Sequence, residues 1–207
     1  MSRRPKTGRK TTATAGSTPG RLRIVAGNWR SRVLEVADVE GLRPTSERVR
    51  ETLFNWLAPR MDGARCLDLF SGTGALGFEA LSRGAAHVTF IERSPAAIQT
   101  LRRNAATLGV DADIRQADAF DYLEGKPDRP FDVVFLDPPF ADDRLAELCT
   151  LLSDRGFLDR DARIYIEEDR GRDPADPGEG WETLRQKTAG NVRYSLIRRA
   201  EDRVADS

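Results

Sequence analysis

The chain has 207 residues, of which 39% are hydrophobic and 32% charged, and these values fit one globular domain with an appendage. No apolar run approaches the roughly 18–20 residues that a membrane span requires, so the sequence argues against an integral membrane protein. A single histidine, His87, and two cysteines without a Cys/His cluster argue against a structural zinc site, a His-based triad or a disulfide framework. Both cysteines are expected to be small buried hydrophobic residues, which fits a reducing cytoplasm.

The formal net charge is zero, but basic residues are concentrated at the beginning of the chain. Residues 1–34 contain nine Arg or Lys and no Asp or Glu, a distribution that suggests contact with a polyanion. Residues 1–20 are also almost free of large apolar side chains, so we predict a disordered basic tail there. Residues 201–207 are predicted to be a flexible C-terminus.

Residues 21–60 are predicted to form a hairpin and a helix that pack on the core. The segments RLRIVAG and RVLEVAD alternate in hydrophobicity on either side of Gly27, which predicts two short strands. In GLRPTSERVRETLFNWL, Thr45 or Ser46 can cap a helix whose first turn carries Glu47. Pro59 is expected to help end this helix.

From Ala64 onward, strand-like and helix-like segments alternate, which predicts a doubly wound parallel sheet within a domain of residues 61–200. One of the helices is marked by Ser94 as its cap, Pro95 at its first position and Gly109 at its end. The last two strand-like segments, WETLRQKTAG and NVRYSLIRRA, have no helix between them. The predicted fold is therefore α/β and Rossmann-like: a doubly wound, mostly parallel, seven-stranded sheet with an antiparallel C-terminal hairpin.

A glycine-rich loop in DLFSGTGALGFEAL follows the first strand of this region. Gly72 and Gly74 allow the backbone to turn sharply and to approach a ligand at the helix N-terminus, while Gly77 is expected to serve helix packing. Glu92 ends the next strand, 20 residues after Gly72, where an acid would hold two ribose hydroxyls. This pairing fits NAD and S-adenosylmethionine equally, because both contain adenosine.

Two further acids bear on the choice of nucleotide. Asp68 would repel a pyrophosphate, yet it can accept a hydrogen bond from the ammonium group of a methionine moiety, which favours the methyl donor. Asp118, with the backbone of Ala119 beside it, follows the third strand and can accept from an adenine amino group. Asp118 could equally cap the next helix.

The segment DPPF, residues 137–140, ends the fourth strand and faces the same crevice as the glycine loop. Its two prolines remove N–H donors and leave carbonyl oxygens and a carboxylate as acceptors, which suits an amino group with hydrogens to donate. Phe140 offers a ring on which a base can stack. The segment therefore predicts a site for an exocyclic amine.

These motifs resemble those of a known enzyme family. D-P-P-[FY] is the signature of methyltransferases that act on exocyclic amino groups of bases, and DLFSGTGALG is similar to their first motif. With RIVAGNWRSRVLEV, GLRPTSERVRETLFNWLAP and FDVVFLDPPF, they resemble the RsmD family, the 16S rRNA guanine-N2 methyltransferases, from about Arg21 to Arg199. RPTSERVRETLFNWL is the most family-specific segment, whereas DPPF alone would admit adenine-N6 enzymes.

The resemblance implies that residues 61–200 form a class I methyltransferase domain that uses S-adenosylmethionine, releases S-adenosylhomocysteine and needs no metal. The residues implied to contact S-adenosylmethionine are Asp68, Phe70, Gly72, Gly74, Glu92 and Asp118. Asp137, Pro138 and Phe140 would hold the guanine, with the Asp137 carboxylate and the Pro138 carbonyl accepting its two N2 hydrogens. The implied substrate is 16S rRNA in the small ribosomal subunit, and the implied reaction is of the guanine(966)-N2 type. We expect the protein to be a monomer with no membrane partner.

Basic side chains near this crevice are predicted to contact RNA phosphates, with an affinity that falls as salt concentration rises. The predicted contacts are Arg21, Arg23, Arg30, Arg32, Arg43, Arg48 and Arg50, with Arg193, Arg198 and Arg199 as further candidates.

Three alternative functions stay open on the residues alone. An adenine-N6 methyltransferase acting on RNA or DNA shares every chemical motif. A dinucleotide oxidoreductase shares the glycine loop, but it explains neither DPPF nor the closing hairpin. A non-catalytic RNA-binding module would keep the basic surface, but it has no use for DPPF together with Glu92.

Overall fold

The computed structural model describes residues 20–138, 144–174 and 176–200, so the predicted tail and C-terminus, Pro139 and Phe140 lie outside the described residues. The strands are β1 (Arg21–Arg23), β2 (Val33–Glu35), β3 (Arg65–Asp68), β4 (His87–Glu92), β5 (Asp113–Gln116), β6 (Phe131–Leu136), β7 (Leu158–Asp169), β8 (Trp181–Ala189) and β9 (Val192–Arg199). The helices are α1 (Glu47–Met61), α2 (Ala75–Ser82), α3 (Pro95–Leu108), α4 (Ala119–Leu123) and α5 (Leu145–Asp154). None of these helices is long and apolar enough to cross a membrane.

Seven strands form one sheet in the order β5-β4-β3-β6-β7-β9-β8, and β1 pairs with β2 in a separate two-stranded sheet. Strands β3 to β7 are parallel, whereas β9 is antiparallel to both β7 and β8. The predicted fold class is confirmed. Because the chain moves outward from β3 to β4 and β5 and then returns to β6, the topological switch point lies between β3 and β6.

Two hydrophobic clusters cover the two faces of the large sheet. Successive residues of β6 alternate between them: Val133 and Phe135 belong to one cluster, and Val134 and Leu136 belong to the other. This alternation follows from the two-residue period of a strand. All four side chains are fully buried, as expected for a parallel strand covered on both faces.

Local signals place most helix ends where the sequence predicts them. Ser94 caps α3 by accepting from the N–H of Ala97, and Gly109 ends that helix in the left-handed conformation at φ 71°. Ser46 caps α1 by accepting from the N–H of Val49. Pro59, which is expected to help end α1, lies inside its last turn, and the helix continues to Met61, whose buried side chain joins the core.

Arg50 and Glu79 form an ion pair inside the protein. Arg50 Nη1 lies 2.9 Å from Glu79 Oε2, and the side chains are 1% and 0% exposed. The two remaining guanidinium nitrogens of Arg50 donate to the backbone carbonyls of Thr45 and Arg23. The prediction that Arg50 contacts RNA phosphate is therefore wrong, because all its nitrogens are used inside the fold.

Glu79, in α2, also connects the N-terminal hairpin to the large domain. Its two carboxylate oxygens accept from the backbone N–H groups of Val25 and Ala26 at 2.9 and 3.0 Å, and Oε1 accepts from Arg83 as well. A buried carboxylate with this many donors is well stabilised, since each hydrogen bond to a charged group is worth about 1.5–3 kcal/mol.

Replacing Arg50 by alanine should lower the free energy of unfolding by about 3–5 kcal/mol, because the Glu79 carboxylate would lose its fully buried cation. Arg48→Ala, which removes an exposed arginine from the same helix, is the matched control and should change stability by less than about 0.5 kcal/mol. Urea denaturation of the two variants measures both values, and equal effects would contradict the assignment.

Candidate functional site

A cavity of about 860 Å³ opens at the carboxyl ends of the parallel strands, next to the switch point. Its walls come from residues 39–46, the glycine loop, the ends of β4, β6 and β7, and the beginning of α4. The cavity brings together most of the predicted site residues: Asp68, Phe70, Gly72, Glu92, Asp118, Ala119, Asp137 and Pro138. Gly74 is not among the residues that line it.

The glycine loop turns as predicted, with φ angles of 48° at Gly72 and 77° at Gly74. A Cβ on Gly74 would lie 2.6 Å from the side chains of Phe78 and Leu101, so this glycine serves close helix packing. Gly77 has the same role, because a Cβ there would lie 2.2 Å from the Phe90 ring. Of the three glycines, only Gly72 faces the cavity.

Glu92 is held in position by two backbone donors. Its Oε2 accepts from the Gly72 N–H at 2.9 Å, and its Oε1 accepts from the Ser94 N–H at 2.7 Å. Each carboxylate oxygen has a second lone-pair direction, so both can still accept from a ligand. Two fixed acceptors at the end of β4 suit the two hydroxyls of a ribose.

Asp68 is a buried carboxylate that faces the cavity from the end of β3. Its Oδ2 accepts from the Gly77 N–H in the first turn of α2 at 3.0 Å. Burial raises its pKa to about 7; the Gly77 hydrogen bond partly opposes this rise, and the charge of Glu92 adds a smaller one. A ligand ammonium would offset the cost of burying this charge, so the site fits the amino acid part of S-adenosylmethionine.

Asp118 is the N-cap residue of α4 and accepts from the Phe120 N–H at 2.9 Å. It also lines the cavity, so capping and ligand contact are both open to this side chain. Phe120, which the sequence analysis did not single out, lies beside it in the cavity wall. The Arg144 guanidinium stacks on the Phe120 ring, 3.4 Å from the ring centroid.

Asp137 follows β6 and lines the cavity together with Pro138. Its Oδ2 accepts from the Thr45 hydroxyl at 3.5 Å. Its pKa is raised well above the usual range, first by burial and then by the negative charges of Glu167 and Asp68. The acid of the DPPF segment thus lies opposite the predicted donor site, in the same cavity.

Thr45 and Glu167 are site residues that the sequence analysis missed. Thr45 was considered only as a helix cap, a position that Ser46 takes. Glu167 lies in the strand-like segment RIYIEED, where three successive acids at the carboxyl end of a buried strand could have drawn attention to it. Both line the cavity beside Asp137.

The predicted RNA contacts other than Arg50 are exposed: Arg21, Arg23, Arg30, Arg32, Arg43 and Arg48. Arg43 lines the cavity itself. Arg23 lies 3.8 Å from Glu47, and Arg32 donates to the Thr107 carbonyl at 3.4 Å. Of the further candidates, Arg198 pairs with Glu182, and Arg193 donates to the carbonyls of Arg170 and Arg172.

The seven-stranded sheet with its antiparallel final pair, and a cavity at the switch point, define a class I methyltransferase fold. The chain belongs to the family described as Conserved hypothetical protein 95, whose model matches residues 22–198, and this is the RsmD family that the motifs resemble.

The similarity to individual relatives extends over most of the chain. The Ribosomal RNA small subunit methyltransferase D of Escherichia coli K12 is 45% identical over 192 residues, which cover 92% of this chain and 96% of the relative. The protein of the same name from Haemophilus influenzae is 44% identical over 181 residues, covering 86% and 93%. A solved structure, "Putative methyltransferase yhhF from Escherichia coli", has a TM-score of 0.81 at 44% identity, covering 87% of this chain and 99% of that one.

Asp68→Asn should raise the free energy of unfolding, measured relative to the wild type, more at pH 8 than at pH 4. The folded state holds the Asp68 proton up to a pKa of about 7, whereas the unfolded state releases it near the ordinary value of 3.8. Wild-type stability therefore falls as pH rises between these values, by about 2–4 kcal/mol, and the amide removes this fall.

Urea denaturation at pH 4, 6 and 8 measures the difference between the variant and the wild type. Glu51→Gln, which changes an exposed glutamate of α1, is the matched control for the loss of a carboxyl group. A pH-independent difference for Asp68→Asn would contradict the raised pKa.

Proposed function

We propose that this protein transfers a methyl group from S-adenosylmethionine to the exocyclic N2 of a guanine in the 16S rRNA of the small ribosomal subunit. The observation that carries the proposal is the position of Asp137 and Pro138, an acceptor-only surface that faces the same cavity as Asp68, Gly72 and Glu92. The relatives at 44–45% identity are named Ribosomal RNA small subunit methyltransferase D, which supports RNA as the substrate.

The donor side of the cavity would hold S-adenosylmethionine by its polar ends. Asp68 would accept from the ammonium group, Glu92 from the ribose hydroxyls, and Asp118 with the Ala119 backbone from the adenine. When bound, this cofactor supplies an electrophilic methyl group on a sulfonium sulfur. Gly72 leaves room for it, since a Cβ at this position would already lie 2.8 Å from the Leu42 side chain.

The acceptor side would orient the base rather than activate it strongly. The lone pair of a guanine N2 is delocalised into the ring, so the amine is a poor nucleophile. Hydrogen bonds from its two N–H groups to the Asp137 carboxylate and the Pro138 carbonyl would make the nitrogen more pyramidal and direct its lone pair towards the methyl group. Stacking of the base on Phe140 stays a prediction from the sequence.

The exposed arginines would bind the RNA backbone around the cavity. Arg43 lies in the cavity wall, and Arg48 follows in the first turns of α1. Phosphate contacts of this kind fix the position of the RNA without reading its sequence. We further propose that the protein acts as a monomer in the cytoplasm on an assembled or nearly assembled small subunit.

Asp137→Ala should abolish methyl transfer while changing donor affinity by no more than a few-fold, because Asp137 faces the base and not the cofactor. We expect the single-turnover rate to fall at least about a thousandfold. The measurements are transfer of labelled methyl to small subunits lacking the modification, and calorimetric binding of S-adenosylhomocysteine. Asp128→Ala, which alters an exposed acid before β6, is the control, and parallel losses of transfer and binding would contradict the role.

Nucleoside analysis of the labelled RNA decides between the proposed reaction and its main alternative. N2-methylguanosine is the expected product. N6-methyladenosine would show that the DPPF segment of this chain binds adenine, and the absence of label in RNA would contradict the proposed function.

Arg43→Ala should weaken binding to the small subunit and reduce the slope of log affinity against log salt by about one, as expected for one lost phosphate contact. Arg155→Ala removes an exposed arginine at the end of α5, at the opposite edge of the sheet, and should leave both values unchanged. Filter binding between low and moderate salt measures both, and an unchanged slope for Arg43→Ala would place this residue outside the interface.

A further inference from the structure

Glu167 lies next to Asp137 because β6 and β7 are neighbouring parallel strands. Leu136 of β6 pairs with Ile166 of β7. The residues that follow them, Asp137 and Glu167, therefore lie at the same level of the sheet, and both are acids. Both acids line the cavity. The methyl-acceptor side therefore presents two carboxylates, not one.

Hydroxyl groups hold this pair of acids. The Tyr165 hydroxyl donates to Glu167 Oε2 at 2.8 Å, from two residues earlier on the same strand. The Thr45 hydroxyl donates to Asp137 Oδ2 at 3.5 Å and also interacts with the Glu167 side chain. Thr45 thus lies between the two acids and contacts both.

No arginine, lysine or histidine forms an ion pair with either acid within residues 20–138, 144–174 and 176–200. Glu79, the other buried glutamate, has two arginine partners by contrast. A carboxylate that is 94% removed from solvent without a cation lowers stability, so an acid at this position is better explained by a role in the site.

Other groups around the pair add to its negative environment. Asp68 approaches Asp137 from β3, and Tyr194 of β9 lies beside Tyr165, with ring centroids 6.4 Å apart. The cationic side chains that line the same cavity are Arg43, Arg93 and Arg144. Burial raises the pKa of both acids, the charge of Glu167 raises the pKa of Asp137 further, and the Thr45 hydroxyl lowers both values.

We propose that Glu167 is a positioning residue of the acceptor site, whose buried negative charge strengthens the hold of Asp137 on the proton that the methylated amine releases. This inference rests on the proposed function. The amine nitrogen forms the new N–C bond with its lone pair, and the C–S bond breaks with its electrons remaining on sulfur. One N–H proton then moves to the Asp137 carboxylate, which leaves a neutral secondary amine, and the proton passes to solvent when the product departs.

Glu167→Gln tests the proposal through the pH dependence of single-turnover transfer. Without the neighbouring charge, Asp137 holds a proton less strongly, so the acidic limb of the rate profile should move to lower pH by about one unit. Because a less basic Asp137 also accepts the hydrogen bond from the amine less strongly, the plateau rate should fall by roughly threefold to tenfold. Donor affinity should be unchanged.

Thr45→Val provides a second variant with the opposite sign. Loss of the hydroxyl removes a donor that stabilises the ionised acids, so the acidic limb should move to higher pH. Glu168→Gln removes the next, less buried acid of β7 and is the control whose profile should match the wild type. A merely structural role for Glu167 does not produce opposite shifts in the two variants.

The proposal is overturned if the acidic limb of the pH–rate profile is unchanged in Glu167→Gln, or if Glu168→Gln shifts that limb by the same amount. Should Glu167→Gln fail to fold, titration of ¹³C-labelled carboxyl groups in the wild type replaces it: curves with two inflections for both acids support coupling, and independent single curves overturn it. Absence of methyl transfer by the wild type would instead contradict the proposed function, and the carboxyl titration would still decide the coupling.

Discussion

The parallel alignment of β3, β6 and β7 is the constraint on which the site depends. These strands are neighbours in the sheet, and each has an acid at its carboxyl end: Asp68, Asp137 and Glu167. Parallel strands end at one edge, so the fold concentrates three carboxylates in one cavity and keeps them largely out of water. The raised pKa values of all three acids follow from that arrangement. Such a cavity favours ligands that carry positive charge or donate hydrogen bonds, as a sulfonium amino acid and an exocyclic amine both do.

The N-terminal region takes part in the acceptor site through one chain of contacts. Glu79 of α2 binds Arg50, Arg50 donates to the backbone carbonyl of Thr45, and the Thr45 hydroxyl donates to Asp137. The buried ion pair therefore positions a residue that touches the acid of the DPPF segment. The hairpin is attached to the same ion pair, because Arg50 also binds the carbonyl of Arg23. Residues 21–60 and 61–200 thus share one polar network, which connects the segment RPTSERVRETLFNWL to Asp137.

The fold could be predicted from the sequence because its signals are local. Strand periodicity, the Ser94 cap and Gly109 each depend on neighbouring residues only, and the structure places them as expected. Arg50 was misinterpreted because its partner, Glu79, is 29 residues away and an arginine pattern does not reveal burial. Glu167 was missed for a related reason: its closeness to Asp137 arises from the register of β6 and β7, which no single segment encodes. The motifs could be recognised from neighbouring residues in the sequence, whereas the proximity of the two distant acids became visible only from the strand pairing in the sheet.

Glu79 and Glu167 are both buried, but the charged groups around them differ. Glu79 has two arginines and two backbone donors, so its charge is satisfied and it joins the hairpin to the domain. Among the described residues Glu167 has hydroxyl partners and no cationic one, so its charge acts on its neighbours. An amide in place of Glu79 should weaken the fold, whereas an amide in place of Glu167 should relieve repulsion. If the acid pair acts as proposed, Glu167 lowers stability and makes Asp137 more basic, which is the usual relation between stability and activity at a reactive site.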